Sequence, residues 1–595
     1  MKTNIPELIW RQRPWNEKNC RNIAKTLNMP LEIAAILNQR GFTEPSEVEA
    51  FLRPVLAHLP SPMLMRGMLK AVELLADALD ITCQKTRKPV IIYGDYDVDG
   101  ITGSALLFHF LRSLGMQVEC YIPNRLTEGY GLHEEAITLL HERIQKHNNG
   151  QATNPILITV DCGITNNLEV IIAKKLGFSV IITDHHQPQS LLPEADAILN
   201  PLQPECRFPF KQLAGVGVAF YLAMGLRTHL KNVGYWAVDD RVLPNLKQYL
   251  DLVALGTISD MVPLLGPNRV MTMAGLEIIS RTPCLGIKAL MDKAEFEGGI
   301  PTTEDVAFKI CPKINAAGRV GEPEIAFRLL ITQSMSEAIQ LATELEDANN
   351  SRKNIANLVY ESALAQANSE IRKNKTSLVL GSAEWHLGVL GLVATKIMKL
   401  YNRPTLIFRF ENGIAKGSGR SIIGIDLNEI LASCKEYLIN YGGHKSAVGC
   451  TMLIANYSKF AEKFEKEIQK NIKHADLQTI LWIDFKIQPS ELNSVNFMKY
   501  YKMLQPFGIG NEEPVFISPA ANKLVQPRQM GKNSLRFVWQ EDNFSCSGYG
   551  FGLGDIVESL KNNPAIIAYK LRNNVFRGVS RWEVKTEDIR VVLTD

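Results

Sequence analysis

Three carboxylates, Asp95, Asp97 and Asp99, stand at alternate positions directly after the apolar run 89–92. Carboxylates held at close range repel one another, so keeping them together costs free energy. A divalent cation removes that cost, and a site rich in oxygen ligands suits Mg²⁺ or Mn²⁺. A solvated acidic turn is the alternative interpretation, and this motif alone does not distinguish it from a metal site.

Two further apolar runs, 156–160 and 180–183, also end in residues of metal-ligand type. The residues that follow them are Asp161 after the first run, and Asp184, His185 and His186 after the second. In an open parallel α/β sheet the carboxyl ends of the strands line one crevice, so residues far apart in sequence meet there. We therefore expect these groups to form one metal site with the first three carboxylates.

Asp260 is a fourth candidate, in the segment 255–263, Leu-Gly-Thr-Ile-Ser-Asp-Met-Val-Pro. A lone aspartate is usually a helix cap or part of a turn. Acidic or histidine groups at four equivalent strand ends are hard to ascribe to coincidence. We therefore place Asp260 at the end of a further strand and in the same metal site.

Length and composition restrict the class of protein. The 595 residues correspond to three or four domains, and a hydrophobic content of 46% is that of a globular protein. The net charge of +3 is small, so any path for nucleic acid would be a local basic groove. We find no membrane-length apolar run, no signal-peptide core and no paired cysteines. These features predict a cytoplasmic protein.

The pattern of elements predicts a mixed α/β chain. Strands and helices alternate over 90–197, which indicates right-handed βαβ units and a largely parallel sheet. Residues 334–375 contain no Gly or Pro and carry apolar residues at helical spacing, so we predict one long helix. A second α/β region follows from residue 376, and short strand-like runs fill 478–595.

The motifs as a set resemble those of the DHH phosphoesterases. They are Asp-Tyr-Asp-Val-Asp-Gly at 95–100, Val-Asp-Cys-Gly at 160–163 and Asp-His-His at 184–186. Asn-Ala-Ala-Gly-Arg at 315–319 and Phe-Gly-Ile-Gly-Asn at 507–511 are similar to segments of the RecJ-type exonucleases. The resemblance covers nearly the whole chain.

The resemblance implies two α/β lobes, DHH and DHHA1-like, joined by a long helix and followed by an OB-like β-barrel. The predicted domains are a mostly helical segment packing on the catalytic lobe (1–85), a DHH catalytic domain (86–333), a connecting helix (334–375), a DHHA1-like domain that binds nucleic acid or phosphate (376–473) and an OB-like domain that binds single-stranded DNA (474–595).

The implied activity is hydrolysis of single-stranded DNA from its 5′ end to mononucleotides, with two Mn²⁺ or Mg²⁺ ions, in DNA repair and recombination. One alternative is a DHH phosphodiesterase for short oligonucleotides or cyclic dinucleotides, which would not need the long helix and the added β domain. A second alternative is an inactive scaffold that binds DNA or replication proteins. The complete set of acidic and histidine residues argues against that scaffold.

The resemblance also implies a role for each residue of the metal site. Asp161 would bridge the two ions; Asp99, His185 and Asp260 would complete one of them, and Asp97, together with Asp95, would hold the other. Related enzymes often have a histidine ligand at the position of Tyr93. This chain lacks that histidine, so Asp95 is the ligand whose assignment the resemblance supports least. We expect His186 to stabilise the phosphorane or assist the leaving oxygen, with orientation of a ligand as its alternative role. Asp161, His186, Asp97 and Asp99 are thus the predicted catalytic residues.

A second group of residues is predicted to bind substrate. Glycine-rich loops at 417–421 and 441–444 let backbone N–H groups approach phosphate closely, and Arg420 adds a planar cationic fork. The predicted substrate-binding residues are Asn315, Arg319, Trp385, His386, Ser418, Arg420, Gly442, Gly443 and His444. Burial in a core is the alternative for Trp385.

The C-terminal region contains aromatic and basic residues in alternation, which is typical of a groove that stacks bases of any sequence. They are Phe537, Trp539, Tyr549 and Phe551, with Lys532, Arg536, Arg572 and Arg577. Many of these aromatic residues must also fill a core. The expected partner is single-stranded DNA, with a single-strand-binding protein and a helicase as further candidates, no membrane, and a monomeric state.

Overall fold

In a computed structural model of the chain, two compact units are distinguished. The first unit comprises Ser46–Asn349 and Lys502–Glu513, and the second comprises Met1–Pro45, Asn350–Tyr501 and Pro514–Asp595. The structure describes residues 8–79, 88–147, 154–237, 241–296, 298–472, 477–487, 491–492, 494–518, 523–531, 533–541, 544–576 and 579–592.

The N-terminal region is mostly helical, as its apolar spacing predicts. Its elements are β1 (Ile9–Gln12), α1 (Glu17–Leu27), α2 (Leu31–Gln39), α3 (Pro45–Leu52) and α4 (Met68–Ala78). The division between the two units falls at residue 45, so the segment 1–85 is shared between them.

A five-stranded parallel sheet forms the centre of the first unit. The elements are β2 (Val90–Gly94), α5 (Val98–Ser113), β3 (Val118–Tyr121), α6 (Glu134–His147), β4 (Ile156–Val160), α7 (Asn167–Lys175), β5 (Ser179–Thr183), β6 (Ala197–Leu199) and α8 (Gly215–Asn232). The strand order is β3-β2-β4-β5-β6, and every pairing is parallel. The order reverses between β2 and β4, and ligands bind at such a reversal, outside the carboxyl ends of the strands.

Both faces of this sheet are covered, which explains why its strands are apolar at every position. Ile92 and Ile158 belong to one hydrophobic core cluster, whereas their neighbours Ile91 and Leu157 belong to another. Successive side chains of a strand point to opposite faces, so a strand buried on both faces has no polar alternation. The sequence prediction of parallel βαβ units is confirmed.

Helices complete the first unit. They are α9 (Leu250–Ser259), α10 (Gly266–Ile279), α11 (Leu285–Lys293), α12 (Thr303–Asp305), a π-helical turn (Val306–Ile310), α13 (Cys311–Val320) and α14 (Pro323–Ile331). The long helix α15 (Met335–Arg372) follows, and its residues from Asn350 onward belong to the second unit. The predicted long helix over 334–375 is therefore present.

The second unit holds a mixed five-stranded sheet with helices. Its elements are β7 (Leu378–Ser382), α16 (Leu390–Tyr401), β8 (Thr405–Glu411), β9 (Ile414–Arg420), α17 (Leu427–Ala432), β10 (Asn440–His444), β11 (Ala447–Leu453) and α18 (Tyr457–Asn471). The strand order is β10-β11-β9-β8-β7. The pairing of β7 with β8 is parallel, and the others are antiparallel.

The C-terminal region of the second unit is rich in strands, as predicted. Its elements are β12 (Ile480–Ile483), β13 (Phe485–Lys486), α19 (Val495–Leu504), β14 (Phe516–Ile517), β15 (Val525–Met530), β16 (Ser534–Glu541), β17 (Phe544–Phe551), α20 (Val557–Asn562), β18 (Ala565–Phe576) and β19 (Val579–Val591). Seven strands form one sheet in the order β13-β14-β18-β19-β17-β16-β15, and β12 pairs in parallel with β1.

Arg269 anchors the segment Lys502–Glu513 within the first unit. Its side chain is 1% exposed and its guanidinium lies 3.8 Å from the ring centre of Phe51. The guanidinium donates to four backbone carbonyl oxygens, those of Phe51 (2.9 Å), Met503 (3.0 Å), Gln505 (2.8 Å) and Pro506 (3.3 Å). A buried cation is thus compensated by carbonyl dipoles.

We expect Arg269→Met to lower the free energy of unfolding of the first unit by about 3 kcal/mol or more, since it leaves buried carbonyl groups without their donor. Urea unfolding followed by circular dichroism measures the change. Arg281→Ala, at an exposed arginine of the same unit, is the control and should change stability by less than about 0.5 kcal/mol. Equal stabilities of the two variants would contradict the anchoring role.

Candidate metal centre and phosphate-binding face

An aspartate stands one residue beyond the end of each of the strands β2, β4 and β5, and the predicted ligand His185 follows the third of them. The main-chain N–H groups of the three aspartates continue the sheet ladder: Asp95 donates to Val160 O (3.1 Å), Asp161 to Thr183 O (2.9 Å) and Asp184 to Leu199 O (3.1 Å). Adjacent parallel strands therefore present these carboxyl groups at one edge of the sheet, where the strand order reverses. The three groups predicted to converge do converge.

The start of α5 fixes two more carboxylates. Asp97 caps the helix, because its Oδ1 accepts the N–H groups of Asp99 (2.8 Å) and Gly100 (3.2 Å). Asp99 lies in the first turn and is buried. Its two carboxylate oxygens accept from Gly215 N (2.6 Å) and Val216 N (2.8 Å) at the start of α8.

The side chains form three overlapping groups of possible metal ligands. The groups are Asp95, Asp97 and Asp161; Asp99, His185 and Asp260; and Asp161, His185 and His186, and within each the ligand atoms lie within 4.8 Å of one another. Nε2 of His185 lies 3.1 Å from Asp161 Oδ1 and 3.6 Å from Asp260 Oδ2. All six predicted metal ligands therefore meet in one crevice.

Four buried atoms in this crevice have no hydrogen-bond partner among the residues that the structure describes. They are Asp95 Oδ1, Asp161 Oδ1, His185 Nε2 and Asp260 Oδ2. A buried polar atom without a partner is costly and requires an explanation such as an ion. Oxygen ligands with one imidazole are the donor set that Mn²⁺ and Mg²⁺ accept, so the residues fit two hard divalent ions.

Burial and mutual repulsion resist ionisation of these carboxyl groups. Burial, followed by the charges of Asp99 and Asp97, raises the pKa of Asp161 well above its usual range. Burial likewise raises the pKa of Asp99 to about 6 and that of Asp260 to about 7, although His185 opposes both shifts. A bound cation reverses this effect because it stabilises the charged form.

His186 is held by Asp184, which was expected at the metal site, and by Tyr130, which the sequence did not point to. Its Nδ1 lies 2.7 Å from Asp184 Oδ1 and 3.1 Å from the hydroxyl of Tyr130. Tyr130 also donates to the carbonyl oxygen of Asp161 (3.2 Å). Asp184 was recognisable as the first residue of Asp-His-His. Tyr130 stands between two glycines, in a loop whose sequence contains no motif that indicates a site.

The protonation of this pair follows from their contact. Burial lowers the pKa of His186, but the hydrogen bond and charge of Asp184 outweigh it and raise that pKa to about 9. For Asp184, burial is likewise outweighed by His186, and the pKa falls to about 2. The contact with Asp184 therefore favours the protonated form of His186 and fixes its ring orientation.

The expected strand before Asp260 is wrong. Residues Leu250–Ser259 form helix α9, and Asp260 is its C-terminal cap, donating its N–H to Gly256 O (2.9 Å). Leu250 to Ile258 are all buried, so this helix is buried on every side and is mostly apolar. A short apolar run of that kind cannot be distinguished from a buried strand by periodicity.

Asn315 and Arg319 lie on α13, close to the metal centre. Asn315 Nδ2 donates to the hydroxyl of Ser259, the residue before Asp260 (3.3 Å). At Gly318 a Cβ atom would lie 3.0 Å from the carbonyl oxygen of Tyr96, which separates Asp95 from Asp97. Burial raises the pKa of the Tyr96 phenol, and the positive charge of the nearby Arg319 opposes that shift.

The two predicted glycine-rich loops of the second unit are strands, and the loop prediction is wrong. Register places Arg420, Ala447 and His444 in one row across β9, β11 and β10, and it places Ser418, Gly449 and Gly442 in the next row. Directly paired residues share a face, so these side chains line one surface. The glycines serve close packing: a Cβ at Gly417 would lie 2.3 Å from the Phe408 ring.

This surface, the 418/420/442/444 face, has small residues between its polar ones. Arg420 Nη1 donates to Ser418 Oγ (3.2 Å) and to Gly419 O (2.7 Å). At Gly391, in the first turn of α16, a Cβ would lie 2.8 Å from Arg420 Nη2. The N-terminus of α16 and the Arg420 guanidinium thus lie side by side, and the absence of a side chain at Gly391 leaves its backbone accessible. Such an arrangement is suited to binding an anion.

Other predicted substrate residues of the second unit have structural roles. Trp385 is 2% exposed, and its Nε1 donates to Ser362 Oγ (3.2 Å), so it packs in a core rather than presenting a stacking face. His386 precedes a helical turn and its Nδ1 accepts from Gly388 N (3.1 Å). Gly443 has φ of +135°, and a Cβ there would lie 2.4 Å from Ala447 O.

The C-terminal aromatic residues divide between core and surface. Phe537 and Trp539 are buried, whereas Phe551 is 70% exposed and contacts Tyr549 edge-to-face. Arg536 pairs with Glu583 (3.4 Å). Lys532 and Arg577, also named in the sequence analysis, lie outside the described residues.

Three segments of the chain match known domain families. Residues 89–257 match the DHH family, N-terminal domain; residues 374–470 match the DHHA1 domain; and residues 483–588 match the RecJ OB domain. In the described part of the chain, helices of membrane-spanning length and apolarity are absent. The fold and the site therefore define a protein of the DHH family.

Curated relatives narrow the class. The single-stranded-DNA-specific exonuclease RecJ of Escherichia coli (strain K12) is 33% identical over 96% of this chain and 98% of its own length. The Bacillus subtilis RecJ is also 33% identical over 92% of this chain, which spans 66% of that relative. The chain belongs to the RecJ family.

Solved structures agree with this assignment. Crystal structures of RecJ from Thermus thermophilus match with a TM-score of 0.80 in complex with Mn²⁺ and 0.74 in complex with Mg²⁺. The first is 30% identical and covers 99% of this chain and 80% of that chain. The similarity therefore extends over nearly all of this chain.

Proposed function

We propose that the protein is a metal-dependent exonuclease that degrades single-stranded DNA from its 5′ end to mononucleotides, in DNA repair and recombination. The observation that carries the proposal is the set of four buried polar atoms that make no hydrogen bond to the described residues and cluster at the edge of the parallel sheet. Its RecJ relatives bear the name single-stranded-DNA-specific exonuclease. A scaffold that only binds DNA has no use for such a costly cluster.

Two divalent ions fit the proposed site. Asp99, His185 and Asp260 would hold one and Asp95 with Asp97 the other, with Asp161 contributing to both. Bound there, the ions would activate a water molecule and neutralise charge on the phosphate oxygens.

The protein's own residues would then position the substrate and donate a proton during the reaction. Asp184 accepts the Nδ1 proton of His186 and fixes the ring, which leaves Nε2–H of the cationic imidazole as a donor. That proton can stabilise the phosphorane or pass to the leaving oxygen. Asn315 and Arg319, on α13, would hold the phosphate backbone near this centre.

An end-labelling assay tests the proposal. A single-stranded oligonucleotide labelled at its 5′ end should release labelled mononucleotide at once with Mn²⁺, whereas the same strand labelled at its 3′ end should shorten stepwise. Cyclic dinucleotides and dinucleotides are tested in parallel. Preferred cleavage of those small substrates would support the oligonucleotide phosphodiesterase instead, and binding of DNA without cleavage would support the scaffold.

We further propose that the 418/420/442/444 face binds the phosphates of the DNA strand. We expect Arg420→Ala to lower kcat/KM on single-stranded DNA by about 10- to 100-fold, because a charge-assisted hydrogen bond contributes about 1.5–3 kcal/mol. His444→Ala should act in the same direction. Calorimetry should find Mn²⁺ affinity unchanged in both variants.

The matched control for this prediction is Arg372→Ala. It removes an exposed arginine from the same unit, at the end of α15, and should leave kcat/KM near the wild-type value. Loss of Mn²⁺ from the Arg420→Ala protein would show that this residue acts on the metal centre instead.

The remaining predictions about partners rest on the family resemblance. We propose that the enzyme acts in the cytoplasm as a monomer, and that a helicase and a single-strand-binding protein supply its substrate. Sedimentation of the purified chain tests the monomeric state.

A further inference from the structure

A short part of the C-terminal region belongs to the first unit. Residues Lys502–Glu513 lie within the range that matches the RecJ OB domain, yet they pack in the unit that contains the metal centre. They include the run 507–511, Phe-Gly-Ile-Gly-Asn, to which the proposed reaction gives no role. Arg269 holds three carbonyl oxygens of this segment.

Hydrogen bonds hold the run to itself and to the residues just before it. Asn511 is 0% exposed, and its Nδ2 donates to the carbonyl oxygens of Leu504 and Pro506, both at 2.8 Å. Gly508 and Asn511 exchange backbone hydrogen bonds of 2.9 and 3.1 Å. We name residues 506–511 the brace.

The brace packs against the segment 263–265. Ile509 O accepts the N–H of Leu264 at 2.8 Å. A Cβ at Gly508 would lie 2.6 Å from Leu264 Cδ1, and one at Gly510 would lie 3.1 Å from Leu265 Cδ1 and 3.3 Å from Pro263 Cβ. Phe507 O also accepts from Thr303 Oγ1 (2.6 Å), which ties the brace to α12.

The segment 263–265, which the brace contacts, begins three residues after the candidate ligand Asp260. Helix α9 fixes the chain before Asp260, but the residue after it, Met261, has φ of +61°. A non-glycine residue keeps that conformation where its surroundings determine it. The hydrogen bond to Leu264 and the side chains that lie close against Gly508 and Gly510 supply such a constraint.

We infer that the brace positions Asp260, so that residues 506–511 of the C-terminal region set the geometry of the metal site formed by Asp99, His185 and Asp260. The inference rests on the proposed two-metal function. The brace residues are positioning residues, because they act through the backbone of the segment 263–265 rather than by touching metal or substrate. Outer residues that orient metal ligands typically change metal affinity about 10- to 100-fold when mutated.

Mn²⁺ binding to the intact chain tests the inference. Wild-type protein freed of metal by chelation should show two binding events in calorimetry. Gly508→Ala, which forces Leu264 to move, should weaken one event by about tenfold or more and leave the other unchanged. Added Mn²⁺ should restore hydrolysis by this variant.

Two further variants keep the test decisive. Thr303→Val removes the hydrogen bond to Phe507 O and should weaken the same binding event severalfold. This variant provides the test if the Gly508→Ala protein does not fold. Gly217→Ala is the matched control, because its nearest heavy atoms would lie 3.6 Å from the new Cβ, an ordinary contact. It should bind both ions as the wild type does.

A merely structural brace predicts a different result. Variants that lower the urea midpoint yet bind both Mn²⁺ ions with wild-type affinity would overturn the inference and leave the proposed function standing. Wild-type protein that binds no Mn²⁺ would overturn the proposed function, and the inference with it.

Discussion

Asp161→Asn should lower the turnover of single-stranded DNA by at least about a thousandfold and leave the fold intact. Asp161 Oδ1 lies 3.1 Å from His185 Nε2, and the same carboxyl group clusters with Asp95 and Asp97. Its loss would weaken both metal positions together, and metal stabilisation of the transition state contributes several kcal/mol, which corresponds to about three factors of ten. Asparagine is the suitable replacement, because Asp161 has φ of +63° and asparagine tolerates that conformation.

The same substitution should not lower stability when metal is absent. Burial raises the pKa of Asp161 above its unfolded value. A carboxyl group with a raised folded pKa destabilises the fold at pH values above the unfolded pKa, because ionisation is then opposed in the native state. The neutral amide removes this penalty, so urea unfolding at pH 7 in chelator should give a midpoint equal to or above that of the wild type.

Asp292→Asn is the control for both measurements. It neutralises an exposed carboxylate of α11 in the same unit and should alter neither turnover nor stability. Turnover of the Asp161→Asn protein within tenfold of the wild-type rate would rule out a bridging role for Asp161.

The parallel sheet and most of the metal centre could be predicted because their signals are local. Each strand is a short apolar run, and each ends directly before its ligand. Neighbouring residues in the sequence therefore indicate both the strand and the ligand at its end. The rule that strand ends meet at one edge then brings Asp95, Asp161 and His185 together without any knowledge of distances. Asp260 was selected correctly as a member of the cluster, but on the wrong element.

The features that could not be predicted depend on contacts between distant residues. Gly417 in β9 and Gly443 in β10 resemble loop residues in sequence, yet an aromatic ring and a neighbouring strand leave no room for a Cβ at them. Trp385 has the residue type of a stacking platform, but its neighbours bury it. No local pattern places the run 507–511 beside Leu264, because about 240 residues separate them in the chain.

Removal of divalent metal should abolish hydrolysis completely, and Mn²⁺ or Mg²⁺ should restore it. The catalytic water needs an ion to become a hydroxide near neutral pH. The protein should therefore be inactive after chelation and dialysis, and activity should return in proportion to the occupied sites. Titration of each metal against mononucleotide release measures this recovery.

Metal should also stabilise the fold, which separates occupation of this site from an effect on DNA. An ion that binds the native state at a hundred times its dissociation constant adds about 2.7 kcal/mol. The first unit should then melt at a temperature roughly 5 °C higher or more with Mn²⁺ present and DNA absent. The Asp161→Asn protein should show a much smaller rise, because its carboxyl group is missing from the cluster. Full hydrolysis after exhaustive chelation, or an equal melting rise in both proteins, would mean that the catalytic ions do not occupy this crevice.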